Sequence, residues 1–240
     1  GEEEIQLIRK RLNWSFNPFE IPNNLMKEWE SFALRSQDIK MVQYLCNCHD
    51  KYSVKLAEKN NYGFKDIRIT FEKKIQSFKN NIVGFDKSLS ISIAKRKDLP
   101  ILKSISKKNY LESRYYFDEK FSKKKISTFY TDWIIKAVKG TFDDECIVLL
   151  KNKKIIGFCT IRYSIDKSLA HIGLFGIKKS KHGKGYGYIF LNMIFNKMNS
   201  KKIFNMRVVT QGRNYAAQRL YQKAGFLIFS TELWYHKWIY

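Results

Sequence analysis

From Asp66 to Ile75 the chain reads DIRITFEKKI, apolar and polar side chains in turn, which predicts a half-buried strand. Ahead of it, Met41 to Cys48 (MVQYLCNC) predicts a strand and Tyr52 to Asn60 a helix, with Asn61-Tyr62-Gly63 as the breaker. A β-α-β start is therefore expected. Ser77 to Ser92 is mostly polar and Pro100 stands near the head of a second block. The expected layout is a smaller α/β domain over residues 1–90, contributing to an acceptor site, and a larger one over 91–240. In that second block Phe129 to Val138 predicts an amphipathic helix. Cys146–Leu150 and Ile155–Tyr163 predict a hairpin turning at Asn152-Lys153-Lys154. Ala170 to Ile177 (AHIGLFGI) predicts another strand. The next helix would bury Tyr188, Leu191, Ile194, Phe195 and Met198. A strand over Phe204–Thr210, a helix over Asn214–Ala224 and one or two strands within Leu227–Tyr240 complete a mixed sheet with helices on both faces, an α/β fold.

Composition narrows the class. The 240 residues are 44% hydrophobic and hold only 12 Gly and 3 Pro, which supports a packed core and excludes collagen-like or disordered chains. The longest nearly apolar run, Gly187 to Phe195, falls far short of the roughly 20 residues of a membrane span. The acidic start, Glu2-Glu3-Glu4, is unlike a signal peptide, so a cytoplasmic location is expected. Cys46-x-Cys48 with His49 lacks a second ligand pair at zinc spacing. The four cysteines are read as reduced thiols and no metal is expected.

The formal charge of +23 raises the question of nucleic acid. Of the 45 basic residues 35 are Lys, scattered in short clusters such as Lys95-Arg96-Lys97 and Lys123-Lys124-Lys125. Base readout favours a few focused Arg, Asn or Gln side chains, and no helix-turn-helix or RNA-binding signature occurs. The charge reads as a solvated surface that attracts small anions, with no stable nucleic-acid partner.

Candidate chemistry gathers at two places. Lys181 to Gly187 (KHGKGYG) lies between a predicted strand and a predicted helix. Glycines let backbone N–H groups converge, and the helix start adds about half a positive charge, a cradle for a pyrophosphate. No G-K-[ST] ends the turn, so it is not a Walker loop, and no acidic ribose ligand follows as a dinucleotide site requires. Asn214 to Phe226 (NYAAQRLYQKAGF) begins 27 residues after Gly187, with Asn at the helix start and Gly225-Phe226 at its end. Tyr221 sits on the stripe Ala217, Leu220, Tyr221, Ala224, where a core role and a chemical role are both open.

Together these two motifs resemble the GNAT acetyltransferase superfamily, whose R/Q-x-x-G-x-G/A segment binds the pyrophosphate of acetyl-CoA. Here the segment is His182-x-x-Gly185-x-Gly187, with His in the first position. The resemblance implies a GNAT fold, acetyl-CoA as co-substrate and Tyr221 as general acid. It implies cofactor contacts from Phe175, Gly176, Ile177, His182, Gly183, Lys184, Gly185, Tyr186, Gly187, Asn214 and Ala217. The predicted strand Ala170–Ile177 holds no Asp or Glu. His171 is its one titratable residue, and it reads equally as structural.

Tyr130 to Val148 (YTDWIIKAVKGTFDDECIV), Ser113-Arg114-Tyr115, Thr210-Gln211 with Asn214, and Trp234 to Trp238 narrow the match. They resemble the branch of the superfamily that N-acetylates dTDP-4-amino-4,6-dideoxygalactose for cell-surface polysaccharide. That branch implies Asp66 as a base acting through water, although a solvated strand-end carboxylate remains the other reading. It implies Arg114, Tyr130 and Trp133 in a nucleotide-sugar pocket, where Trp133 is also readable as core. A UDP-linked sugar or a protein amine is the other acceptor within the fold, and a homodimer is left open. A nucleic-acid-binding protein that kept the fold without the chemistry is the reading from a different class.

Overall fold

In a computed structural model the described residues are 40–75, 86–107 and 109–239. They fall into two compact units, one built from residues up to Lys65 together with Glu232–Tyr240, the other from Asp66–Thr231.

In the first unit β1 (Met41–Asn47) pairs antiparallel with β8 (Leu227–Trp238), from Met41↔Trp238 to Asn47↔Glu232. Helix α1 (Lys51–Lys59) starts at Asp50, whose carboxylate accepts from Ser53 N–H at 3.1 Å and from Ser53 Oγ at 2.5 Å. A small core joins Cys46, Leu56, Ala57, Tyr62 and Tyr235.

The second unit holds a run of strands in the order β2 (Gly63–Lys74), β7 (Asn205–Gln211), β6 (Leu169–Ile177), β5 (Lys154–Tyr163), β4 (Glu145–Lys151), β3 (Leu89–Ile93). All neighbours are antiparallel except β6 and β7. Helices α5 (Tyr186–Ser200) and α6 (Tyr215–Lys223) cover one face through Phe190, Leu191, Ile194, Met198, Tyr221 and Ala224. Helices α2 (Leu99–Ser106) and α4 (Lys123–Lys139) cover the other through Leu102, Ile105, Ile126, Tyr130 and Ile134. The single turn α3 (Arg114–Phe117) lies between them in sequence. The expected mixed sheet flanked by helices is this unit.

Several expectations are corrected here. The helix predicted from Phe129 begins at Lys123, because Ser122 accepts from Lys125 N–H at 3.2 Å and starts it on three lysines that carry no apolar period. It stops at Gly140, whose φ of +68° a side chain resists. Tyr188 does not share the buried face of α5. Leu191, Ile194, Phe195 and Met198 set a phase that selects Phe190, and Tyr188 is exposed. The polar stretch after Ser77 contains, in its described part, the strand β3, paired Leu89↔Lys151 through Ile93↔Ile147. The hairpin turns where expected, on Asn152 and Lys153, both left-handed as a two-residue turn demands.

One irregularity shapes the site. Cys159 pairs with Phe175 and Ile161 with Ile172, so Thr160 alone faces both Gly173 and Leu174. This is a β-bulge on β6, and Leu174 N–H donates to Thr160 Oγ1 at 2.8 Å in place of a ladder bond. The bulge turns the strand over. Ile172 belongs to the core under α5 and Leu174 to the core under α4, while Phe175 returns to pack on Phe190. The parallel register of β6 with β7 runs from Leu169↔Asn205 only to Ile172↔Val208, where the bulge begins.

Candidate active site

Beyond Ile172 the two parallel strands part. Lys178 N–H bonds Ile156 O at 2.7 Å and Leu174 N–H bonds Thr160, so from Leu174 onward the even-numbered amides of β6 point at β5. Strand alternation then aims the amides of Phe175 and Ile177 into the gap. The carbonyls on that edge are already engaged: Tyr110 OH donates to Phe175 O at 3.3 Å, and His182 Nε2 lies 2.8 Å from Ile177 O. The gap is the middle of a cleft of about 640 Å³. An acyl oxygen placed there meets fixed N–H donors, the arrangement that stabilises an oxyanion.

One end of the cleft is the glycine turn. Gly183 and Gly185 have φ of +73° and +77°, and a Cβ on either would meet nothing within 4 Å. Gly185 is the N-cap of α5 and no side chain caps the helix. The first N–H groups of α5 are therefore presented to an anion along with the helix dipole. His182 spends its ring on Ile177 O, which ties the turn to the end of β6, and so serves a position that the family fills with Arg or Gln. Gly187 permits close packing, since a Cβ there would lie 3.2 Å from Leu220. Tyr186 is fixed through its hydroxyl by Lys151 Nζ at 2.5 Å, and Lys151 also meets Asp86 at 3.2 Å. The turn fits a diphosphate: open backbone, glycine where φ is positive, and Lys181 and Lys223 in the wall. Because the space beside Gly185 is open, Gly185→Ala acts through φ alone. It should weaken acetyl-CoA binding about ten-fold, the left-handed penalty of an L-residue. Calorimetric titration would show this, and Gly185→Asn should recover part of the loss.

On the floor stands Tyr221, 5% exposed, its ring 5.9 Å from Phe71 and 5.7 Å from Phe226. Burial pushes its phenol well above the ordinary range, so it stays neutral at any working pH and keeps a proton to give. Asn214 caps α6, accepting from Ala217 N–H at 3.1 Å, and lines the cleft.

The other end is aromatic. Tyr110 stacks on Tyr130 with centroids 4.5 Å apart at 17°. Burial pushes the Tyr130 hydroxyl up to about 12. Trp133 Nε1–H donates to Asp143 Oδ2 at 2.6 Å, and its ring meets Phe129 and Phe142 edge to face. Gly173 makes this contact feasible: a Cβ there would lie 2.7 Å from Asp143 Oδ2 and 3.2 Å from Trp133. Arg114 lies over Tyr115 and donates to its hydroxyl at 2.7 Å.

Phe175, Gly176, Ile177, His182, Gly183, Gly185, Tyr186, Gly187, Asn214, Ala217, Tyr221, Arg114, Tyr130 and Trp133 all line this one cleft. Lys184 is exposed on the turn and outside the wall, and His171 is outside it too. Asp66 is also outside the wall. It is 2% exposed, accepts from Ile67 N–H at 2.9 Å and lies 3.6 Å from Arg213, whose guanidinium covers the Phe117 ring. Burial raises its carboxyl to about 6 against the pull of Arg213. The sequence reading missed Tyr110, Asp143, Thr160 and Gly173. Of these only Gly173 left a signal, a glycine inside a strand.

A parallel strand pair split by a bulge, with an uncapped glycine turn beyond it, is the architecture of acyltransferases that draw on a CoA thioester. The profile of the acetyltransferase (GNAT) family matches residues 108–226, and the chain carries a domain of that family. Over 146 residues the sequence is 28% identical to dTDP-fucosamine acetyltransferase of Escherichia coli O6:H1, covering 60% of this chain and 62% of that protein. Spore coat polysaccharide biosynthesis protein SpsD of Bacillus subtilis is 23% identical over 59% of this chain and 48% of its own length. The chain thus spans less than two thirds of either relative. In fold it is similar to a GCN5-related N-acetyltransferase from Sphaerobacter thermophilus, with a TM-score of 0.60 at 12% identity over 82% of this chain and 59% of that one.

Proposed function

We propose that this chain transfers the acetyl group of acetyl-CoA to the amine of a nucleotide-linked amino sugar, with a dTDP-linked 4-amino-4,6-dideoxysugar as first candidate. The observation that carries the reading is the cleft itself. Donor amides of β6 stand at its centre, an anion cradle lies at one end, and aromatic rings with Arg114 line the other. The two polysaccharide-related relatives support the acceptor class.

Acetyl-CoA supplies the activated acyl group, and the residues do the rest. Asp66, at about 6, takes a proton from the acceptor ammonium through water. The Phe175 amide and its neighbours receive the oxyanion when nitrogen attacks the carbonyl carbon. Tyr221 donates its proton to the departing thiolate as the C–S bond breaks. Residues ahead of position 91 enter this reading through Asp66. Buried free thiols at Cys46, Cys146 and Cys159 accord with reaction in a reducing cytoplasm.

A protein amine is the second acceptor. A cationic peptide favours an acidic wall, whereas among the charged residues lining this cleft Glu112 stands against Arg114, Lys181 and Lys223. Thiol release from acetyl-CoA, followed with dTDP- and UDP-linked 4-amino-6-deoxysugars side by side, is the test. Turnover with the dTDP sugar is expected. Turnover with the UDP sugar alone moves the nucleotide, and release with neither sugar but with a lysine peptide overturns the sugar reading.

A further inference from the structure

Two residues before Gly173, outside the wall of the cleft, a row of charged side chains crosses the sheet. Arg162 of β5 pairs with His171 of β6, His171 with Arg207 of β7, and Arg207 with Glu72 of β2. Directly paired residues share a face. No bulge separates 171 from 173, so this is the face on which Gly173 meets Trp133 and Asp143. The chain has ten arginines among 45 basic residues, and three of them, Arg162, Arg207 and Arg68, act on this one histidine. Burial first, and then those cations, hold His171 below its ordinary range.

The two flanking guanidiniums are held in place but not used up. Arg162 lies 4.3 Å over Phe142 and offers one edge, Nη2, to Asp143 Oδ1 at 3.4 Å. Arg207 lies 3.9 Å over Phe229 and gives Nε to Glu72 Oε2 at 2.6 Å. Each has further N–H donors, and their side chains are 46% and 30% exposed. Two oriented guanidiniums on either side of an imidazole match the spread of oxygens on a diphosphate.

We propose that Arg162, His171 and Arg207 form the subsite for the diphosphate of the sugar nucleotide, an inference that rests on the acceptor reading above. Two strand residues, about 7 Å, separate this row from the level of Gly173 and Val209, where β6 and β7 part. That is about the span of a pyranose ring with its anomeric oxygen. A sugar anchored by its diphosphate here brings to the gap the amine on the far side of the ring, at position 4. Arg114 is taken up by Tyr115 and is left to line the opposite wall.

The test is calorimetric titration of the full chain with dTDP, thymidine and acetyl-CoA. Wild type should hold dTDP far more tightly than thymidine. Arg162→Gln and Arg207→Gln should each weaken dTDP about ten-fold or more, the loss of a charge-assisted contact. Their acetyl-CoA affinity should stay within about two-fold, since distant sites add independently. Glu72→Gln should tighten dTDP by releasing Arg207, a gain that misfolding does not produce. Variants that keep wild-type dTDP affinity, or a Glu72→Gln that loses it, overturn the subsite and leave the nucleotide-sugar reading standing. A wild type that binds dTDP no better than thymidine overturns that reading and the subsite with it.

Discussion

Tyr221→Phe is expected to lower kcat by about two to four orders of magnitude, the usual worth of a positioned proton donor. Acetyl-CoA affinity should be nearly untouched. The substitution removes one oxygen and keeps the ring, so the contacts with Phe71 and Phe226 survive and stability should barely move. The size of the effect follows from the surroundings. Tyr110 donates to Phe175 O, and so lacks a proton to spare for a leaving group. Burial keeps Tyr221 protonated well past neutrality, which suits an acid and disqualifies it as a base. Stopped-flow thiol detection with saturating acetyl-CoA is the measurement. A variant that turns over at the wild-type rate would return Tyr221 to the core stripe on which it also lies.

The second large effect is expected at Asp66. Log kcat should climb with pH up to about 6, where the carboxyl ionises, and then level off. Asp66→Asn should abolish that limb and cost about a hundred-fold or more in rate. Stability should move the other way. The folded value of about 6 lies above the ordinary value of about 3.9, so the fold favours the neutral carboxyl. That contribution is complete below pH ~4 and lost as pH rises through ~6, where the buried charge costs about 3 kcal/mol. Asp66→Asn should therefore unfold at higher urea than wild type at pH 8, with the gap closing toward pH 4. A slower but sturdier variant marks a group kept for chemistry. An Asn variant that loses stability at pH 8 would make Asp66 a structural counter-ion of Arg213.

Where local chemistry decides the structure, the sequence was readable. The alternation in β2 and the two-residue turn at Asn152 and Lys153 follow from neighbours a few positions away. So do the glycine turn and the cap at Asn214. The helix of residues 123–139 lost its first six positions because a serine cap, not an apolar stripe, starts it. Tyr188 was misplaced because three equally apolar neighbours permit two phases of α5, and only packing against the sheet chooses. The acceptor end was the least readable. Asp143 reaches back ten residues to Trp133 on α4, and Thr160 reaches Leu174 across strands, and no local pattern announces either contact.

The bulge at Gly173 and Leu174 puts the two halves of β6 out of step. Positions 171, 173, 175 and 177 are all odd-numbered, yet the first two lie on the face of Trp133 and Asp143, where the acceptor is proposed to bind, and the last two pack beneath α5. A single extra residue thus separates two duties along nine consecutive residues of chain. Exchanges ahead of it can change which amine is taken while thioester handling behind it stays as it was, so the acceptor range of such a domain is free to drift.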